Sequence, residues 1–357
     1  MKTTKPLLTL LAGLLLAAAA YAQVEVTVTG STAFRAITID RSAAIFDPGY
    51  AAVTNNASTG LITYSGTVAT AVPSLGSTPV KVRLSFSGSA SGMLSVKNQT
   101  PVSTAETPGV NTNKVPDLAL SDVFPGSATP PIADSAFDRS VLGVIPFVWV
   151  INNALTGVGN ITREQAVLLM TSSGAFTNGV VGMPAIYLGG SSTNPVYLIG
   201  RDSGSGTRIS TEKDIGFVGF PLLWATNGAG TYITTNGYSS GGLERDVIKG
   251  KPDAIGYLGR ADLAAIALTA TAISYDGVPY SEPAVATGSY SMWGYEHIVN
   301  RVGGLSANQG LVRDALIKAI TDSAYQSTAI YTNSFVRLDQ MQVERGADGG
   351  TITSLNF

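Results

Sequence analysis

Apolar and polar positions alternate in Val24-Glu25-Val26-Thr27-Val28-Thr29, the two-residue period of a strand with one buried face. Gly30-Ser31-Thr32 then turns the chain, and residues 33–46 carry the longer spacing of a helix. The plan repeats: Val82, Leu84 and Phe86 alternate within 81–87, Gly88-Ser89-Ala90-Ser91 turns, and 92–96 forms a short helix. A third strand at 117–120 ends at Ser121-Asp122. The long apolar run 141–151 predicts a buried strand, and Thr162-Arg163-Glu164-Gln165 is a capping box that opens a helix over 163–171. Further on, Pro195-Val196-Tyr197-Leu198-Ile199 reads as a buried strand, and a helix can open at Thr207 and run to 215. Ser239-Ser240-Gly241-Gly242 precedes a helix at 243–248, residues 254–258 form another strand, 295–299 is extended, and Ser306 caps an amphipathic helix over 307–322.

Strands that alternate with helices in this way specify an α/β fold, whose strand-to-helix turns emerge at the carboxyl edge of a sheet, where ligands bind. Two stretches rich in Gly, Ser, Thr and Asn, 54–78 and 97–114, read as solvated surface loops. There is no solenoid repeat and no heptad run.

The first residues address the chain. Lys2 and Lys5 lead into an apolar segment over 7–20, and Ala20-Tyr21-Ala22 before Gln23 is a small-x-small cleavage site, so 1–22 reads as a secretory signal peptide. No Cys occurs to carry a lipid, a disulfide or a thiolate metal site, and the rest of the chain must fold on apolar burial alone. With Lys2 and Lys5 gone, the 22 basic residues fall to 20 against 24 acids, a net charge of −4. That balance offers no basic field to nucleic acid or to a membrane surface.

The most chemically informative turn is Arg201-Asp202-Ser203-Gly204-Ser205-Gly206-Thr207. It sets a guanidinium, hydroxyls and small-residue amides at the start of a helix, where free N–H groups and the positive dipole end favour an anion. Arg supplies a planar fork for two oxygens, and the glycines let the backbone approach closely. An acidic protein can therefore bind an anion through local geometry.

Gly30-Ser31-Thr32-Ala33-Phe34, Gly88-Ser89-Ala90-Ser91-Gly92, Ser121-Asp122, the Arg201 turn and Asp253-Ala254-Ile255-Gly256-Tyr257 occur in the order seen in the periplasmic phosphate-binding proteins of phosphate ABC transporters, which this chain resembles from about residue 24 to 322. The resemblance implies the type II periplasmic-binding-protein (Venus-flytrap) fold. In it, two α/β lobes, each a mixed sheet flanked by helices, are joined by two crossing strands and close over one dehydrated phosphate. Lobe I would comprise 23–148 and 296–357, and lobe II 149–295, with crossings near 147–152 and 295–299. Carried over by position, the anion would be held by the backbone at Ala33 and Phe34, the hydroxyl of Ser89, the carboxylate of Asp122, and Arg201, Ser205, Gly206 and Thr207. This chain departs from the pattern at Ala33, where many members have Thr, and the neighbouring Thr32 could substitute. It departs again at Ser203, where many have the Asp that orients the Arg. Implied partners are inorganic phosphate or a similar oxyanion and an ABC permease, with no cofactor or metal, and a monomer delivered to the periplasm or secreted. Asp122 carries the selectivity: ionised, it accepts the proton that phosphate keeps near neutral pH, whereas sulfate meets charge repulsion.

Other readings stand beside this one. Serine and glycine turns are often plain connections, Ser239 to Gly242 can simply cap a helix, and Trp149, Trp293 and Tyr295 suit packing. Asp202-Ser203-Gly204 is similar to the nucleophile region of some serine proteases, with His297 as the sole histidine. Yet the Gly-x-Ser-x-Gly elbow is missing and His297 lies in an extended run, so a hydrolase is the weaker reading. A secreted adhesive protein would be a sandwich or repeat array, which the pattern opposes. The same fold could also take sulfate, molybdate or tungstate, or an organic phosphate, or act as a phosphate sensor.

Overall fold

The computed structural model describes residues 23–57, 59–172 and 183–355; the expected signal peptide at 1–22 lies outside them. One mixed sheet organises the chain. Its strands are β1 (Val24–Gly30), β2 (Ala51–Asn56), β3 (Leu61–Gly66), β4 (Val80–Leu84), β5 (Leu118–Ser121), β6 (Phe137–Asn152), β7 (Met183–Pro184), β8 (Pro195–Ile199), β9 (Ala254–Gly259), β10 (Ala270–Ala272) and β11 (Trp293–Arg301). The spatial order is β7-β8-β9-β6-β11-β5-β1-β4-β3-β2, with β10 also paired to β6.

The 16-residue β6 changes partner along its length. Phe137 to Pro146 pair with β11, whereas Phe147 to Ile151 pair with β9. Its inner residues are almost all buried, which accounts for the unbroken apolar run in the sequence. β1 runs parallel to β4 and to β5, so all three strands deliver their carboxyl ends to one edge. β8 and β9 are likewise parallel to each other. These edges receive the turns that carry the hydroxyls and the arginine.

Helices begin where the pattern places them, with small shifts. The first, α1, is Arg35–Ala44, and α2 is Ser89–Asn98, which begins three residues earlier than expected and puts Ser89 in its first turn. The capping box at 162–165 forms as read: the Gln165 side chain accepts from Thr162 N–H and the Thr162 hydroxyl from Gln165 N–H, opening α3 (Arg163–Ser172). α4 is Gly206–Ile215, and α5 is Gly241–Gly250. The amphipathic helix expected near the end is Ala307–Thr321, closed at its start by a Ser306–Gln309 capping box.

The reading of 54–78 and 97–114 as loops is corrected. The first stretch opens within the β2–β3 hairpin at the sheet edge and is irregular, as expected, only over 67–78 around a 3-10 turn at Pro73–Leu75, and the second contains the end of α2 and a separate hairpin, Val102–Thr107 with Val110–Lys114. Their polar composition reflects exposed strand faces. Gly60 and Gly109, with φ of +73° and +76°, supply the tight turns. Asn55 ties the hairpins together, donating to Val110 O and Asn111 Oδ1 and accepting from Gly109 N–H.

The last segment packs beneath the sheet crossing. Val336 bridges Val144 of β6. Arg345 donates to the carbonyls of Trp293 and Ser291 at 3.0 and 2.7 Å, pairs with Asp214 at the end of α4, and stacks on the Trp293 ring. Asp348 accepts from Phe124 N–H at 2.8 Å. Trp149 and Trp293 are fully buried packing residues.

Candidate functional site

Three strand ends and one turn meet at a single place. β1 leads through Gly30, whose φ of +108° favours glycine and whose Cα abuts the backbone of Leu120, into Ser31-Thr32-Ala33-Phe34. Ser89 starts α2, Asp122 follows β5, and the Arg201 turn follows β8. The Arg201 turn docks on α2: Ala90 N–H donates to Gly204 O at 3.1 Å, and the Cβ positions of Gly88 and Gly204 would each collide with the other segment.

At the centre, the Ser89 hydroxyl donates to Asp122 Oδ1 in a short hydrogen bond. Gly206 lies against the same pair: a Cβ built there would stand 1.5 Å from Asp122 Oδ1 and 2.7 Å from Ser89 Oγ. Ser205 caps α4 by accepting from Arg208 N–H. Ser89, Asp122, Ser205 and Thr207 are all buried. Burial raises the Asp122 carboxyl above the ordinary range, while the Ser89 hydrogen bond and the charge of Arg201 pull it back down.

Arg201 is only 2% exposed, which rules out an ordinary surface arginine. Its Nε donates to Tyr238 O, and its Nη2 donates to Ser239 O and to the Thr32 hydroxyl at 3.1 Å. Thr32 and Arg201 thereby join across 169 residues of sequence. Asp202 does not orient this guanidinium through a salt bridge. Its Oδ1 accepts from Gly204 N–H and shapes the turn.

Besides Asp122, the charge of Arg201 acts on two acids the sequence reading did not single out, Glu244 of α5 and Asp262. Gly241 leaves room for Asp262 beside Arg201, since a Cβ there would stand 2.1 Å from Asp262 Oδ2 and 3.7 Å from Arg201 Nη1. Glu244 accepts from Tyr257 N–H, and burial raises its carboxyl well above the usual range. Ser240 caps α5, as the plainer reading of 239–242 has it, while Ser239 adds the carbonyl that holds Arg201. The only signal for Glu244 and Asp262 was proximity in sequence to Gly241-Gly242 and to the strand at 254–259, too weak to place them.

Phe34 and Ala33, which follow Thr32 in the first turn, have different surroundings. Phe34 is buried, its ring meets Phe335 edge-on at 4.8 Å, and its N–H donates to Ser31 Oγ at 3.3 Å. Ala33 is half-buried and its methyl approaches the Gly259 position at 3.9 Å. A further acid, Glu296 on β11, is fully buried; desolvation first and Asp122 second hold its carboxyl far above the normal range.

His297 lies elsewhere in chemical terms. It is buried opposite Ser121, with Nδ1 3.3 Å from Ser121 O, and burial beside Arg139 lowers its pKa to about 3. A base so weak stays neutral near pH 7 and is poorly matched to proton abstraction. Among the described residues no group of three or more His, Cys, Asp or Glu could hold a metal ion, and no helix is long and apolar enough to cross a membrane.

No protein-family model matches the chain. A curated relative, the phosphate-binding protein PstS of Bacillus subtilis (strain 168), is 29% identical over 160 residues, 45% of this chain and 47% of that protein. The chain thus spans about half the length of the curated relative it matches. Among solved structures, a phosphate ABC transporter substrate-binding protein with bound phosphate from Clostridium perfringens superposes with a TM-score of 0.56 at 15% identity, over 88% of this chain and 99% of that one. An ABC-type phosphate transport receptor from Vibrio cholerae gives 0.54 at 15% identity, over 87% and 99%. The resemblance read from the sequence is borne out: the chain has the mixed α/β fold of PstS-like phosphate-binding proteins and shares sequence with one of them over nearly half its length.

Proposed function

We propose that this chain is an exported solute-binding protein that captures inorganic phosphate between two lobes and hands it to an ABC importer. The observation that carries the reading is the meeting of Ser89, Asp122 and the Arg201 turn with its Gly206, three segments far apart in sequence, at one buried polar point. Arg201, Ser205, Gly206, Thr207 and the Thr32-Ala33-Phe34 turn supply donors to the anion, and Asp122 accepts its proton. The division into lobe I, 23–148 with 296–357, and lobe II, 149–295, is supported by β6 changing partner at Pro146 to Phe147. Strands that cross between lobes let them close on a ligand. Neither a nucleophile–base pair nor a bound group is required for this work. The PstS relative and the phosphate-bound structural neighbours support delivery outside the cytoplasm to a membrane importer.

Asp122→Asn tests the assignment directly. The amide has a donor and an acceptor in place of two acceptors, so the variant should accept sulfate and lose its preference for phosphate by about tenfold or more, from the ~1.5–3 kcal/mol attached to a charged hydrogen bond. Calorimetric titration with both anions measures it. An unchanged preference would remove Asp122 from the site.

The pH response follows from the same carboxyl. Above its raised pKa, Asp122 is ionised, accepts from protonated phosphate and repels sulfate; below that pKa it carries its own proton and donates to sulfate. Phosphate-over-sulfate selectivity should therefore fall as pH drops below neutrality. Competition titrations at stepwise lower pH read this out, and a constant ratio would contradict it.

A further inference from the structure

Beyond Thr32 the polar point opens into a cavity of about 400 Å³. Thr32 belongs to its wall and is the residue that receives the Arg201 hydrogen bond, so cavity and anion site share a border. Arg35, Ser87, Ser239, Ser240 and Arg245 also line it. The two arginines differ in one respect. Arg245 is already matched by Asp246 at 3.0 Å and Asp262 at 3.6 Å. Arg35, at the first position of α1 and half-buried, makes no hydrogen bond or ion pair among the described residues; it senses Asp262 only at longer range, against the like charges of Arg201 and Arg245.

A partly desolvated guanidinium without a partner is unfavourable unless something anionic meets it. Arg35 is not among the groups assigned to inorganic phosphate, whereas a phosphate carrying a substituent toward Thr32 would extend into the cavity that Arg35 lines. The hydroxyls of Ser87, Ser239 and Ser240 can hydrogen-bond a short polar chain on the way, and the volume fits a small metabolite.

We infer that the cavity lined by Arg35 is a second anion subsite, through which the protein binds small phosphate monoesters whose substituent ends in a carboxylate or a further phosphate. The inference rests on the phosphate reading of the Asp122 site. It assigns Arg35 a fork on the distal anion and leaves Arg245 to close the wall through its two aspartates.

Two probes differ in the distal group alone: 3-phosphoglycerate ends in a carboxylate where glycerol 3-phosphate has a neutral alcohol. Titration of the purified exported protein with each, and with inorganic phosphate, should show 3-phosphoglycerate binding about tenfold tighter than glycerol 3-phosphate, the ratio expected for one charge-assisted contact. Arg35→Gln should erase that ratio while inorganic phosphate shifts by less than about threefold, as expected for a charge outside the contact shell. Arg35→Glu, which keeps a charged group at this half-exposed position, should turn the preference toward the neutral ester. Inorganic phosphate binding with both esters excluded, or with both esters bound equally by the unaltered protein, overturns the subsite and leaves the phosphate reading intact. Failure of inorganic phosphate to bind overturns both.

Discussion

Arg201→Lys is expected to weaken phosphate binding about 100-fold, although the charge is kept. Lysine is a point donor on a flexible stem and cannot reproduce the planar fork that reaches Tyr238 O, Ser239 O and the Thr32 hydroxyl together. Losing two well-aligned charged hydrogen bonds at ~1.5–3 kcal/mol each accounts for a loss of that order. Arg201→Ala goes further, because it leaves buried acceptors unpaired and strips Glu244 and Asp262 of the cation beside them. Thermal unfolding of Arg201→Ala should register a loss of ~3–5 kcal/mol. Retained affinity in Arg201→Lys would show that binding depends neither on the contacts of the guanidinium fork nor on a guanidinium at the ligand.

Gly206→Ala should abolish binding and lower stability at once. The added methyl would sit where Asp122 Oδ1 now lies, and Asp122 has no free space to yield, being 1% exposed and held by Ser89. Overpacking a closed site typically costs ~1–3 kcal/mol, and here the displaced groups are the ones assigned to the anion. Gly216→Ala is the informative control for a glycine on the same helix. No atom lies within 4 Å of its Cβ, and only its φ of +73° resists, so binding should survive a modest stability loss. Calorimetry and melting curves of the two variants separate the effects; phosphate binding by Gly206→Ala at near-native affinity would refute the close packing on which the site is built.

Much of this architecture was legible in the pattern of residues, for identifiable reasons. Val24–Gly30 declares itself by its alternating residue types, although the structure buries both of its faces, and Ala254–Gly259 by a short apolar run that is buried throughout; helix starts at Thr162 and Ser306 declare themselves because capping chemistry is local. The turns at Gly30, Gly88 and Arg201 could be placed because glycine and hydroxyl residues have few other uses at strand ends. The hairpins at 51–66 and 102–114 escaped, since strands exposed on one face and built from Asn, Thr and Ser carry the composition of loops. Glu244, Asp262 and Arg35 escaped for a different reason. Each acquires its meaning from a neighbour more than forty positions away or on another strand end, and no local spacing encodes that neighbour.

The clamp made by Arg345 and Asp348 has a kinetic implication. Asp348 meets Phe124 across 224 residues, and Arg345 grips the end of β11 and the end of α4. Contacts of such long range form late, because loop closure must precede them. The segment carrying Arg345 and Asp348 must therefore dock before the scaffold around the candidate site can lock.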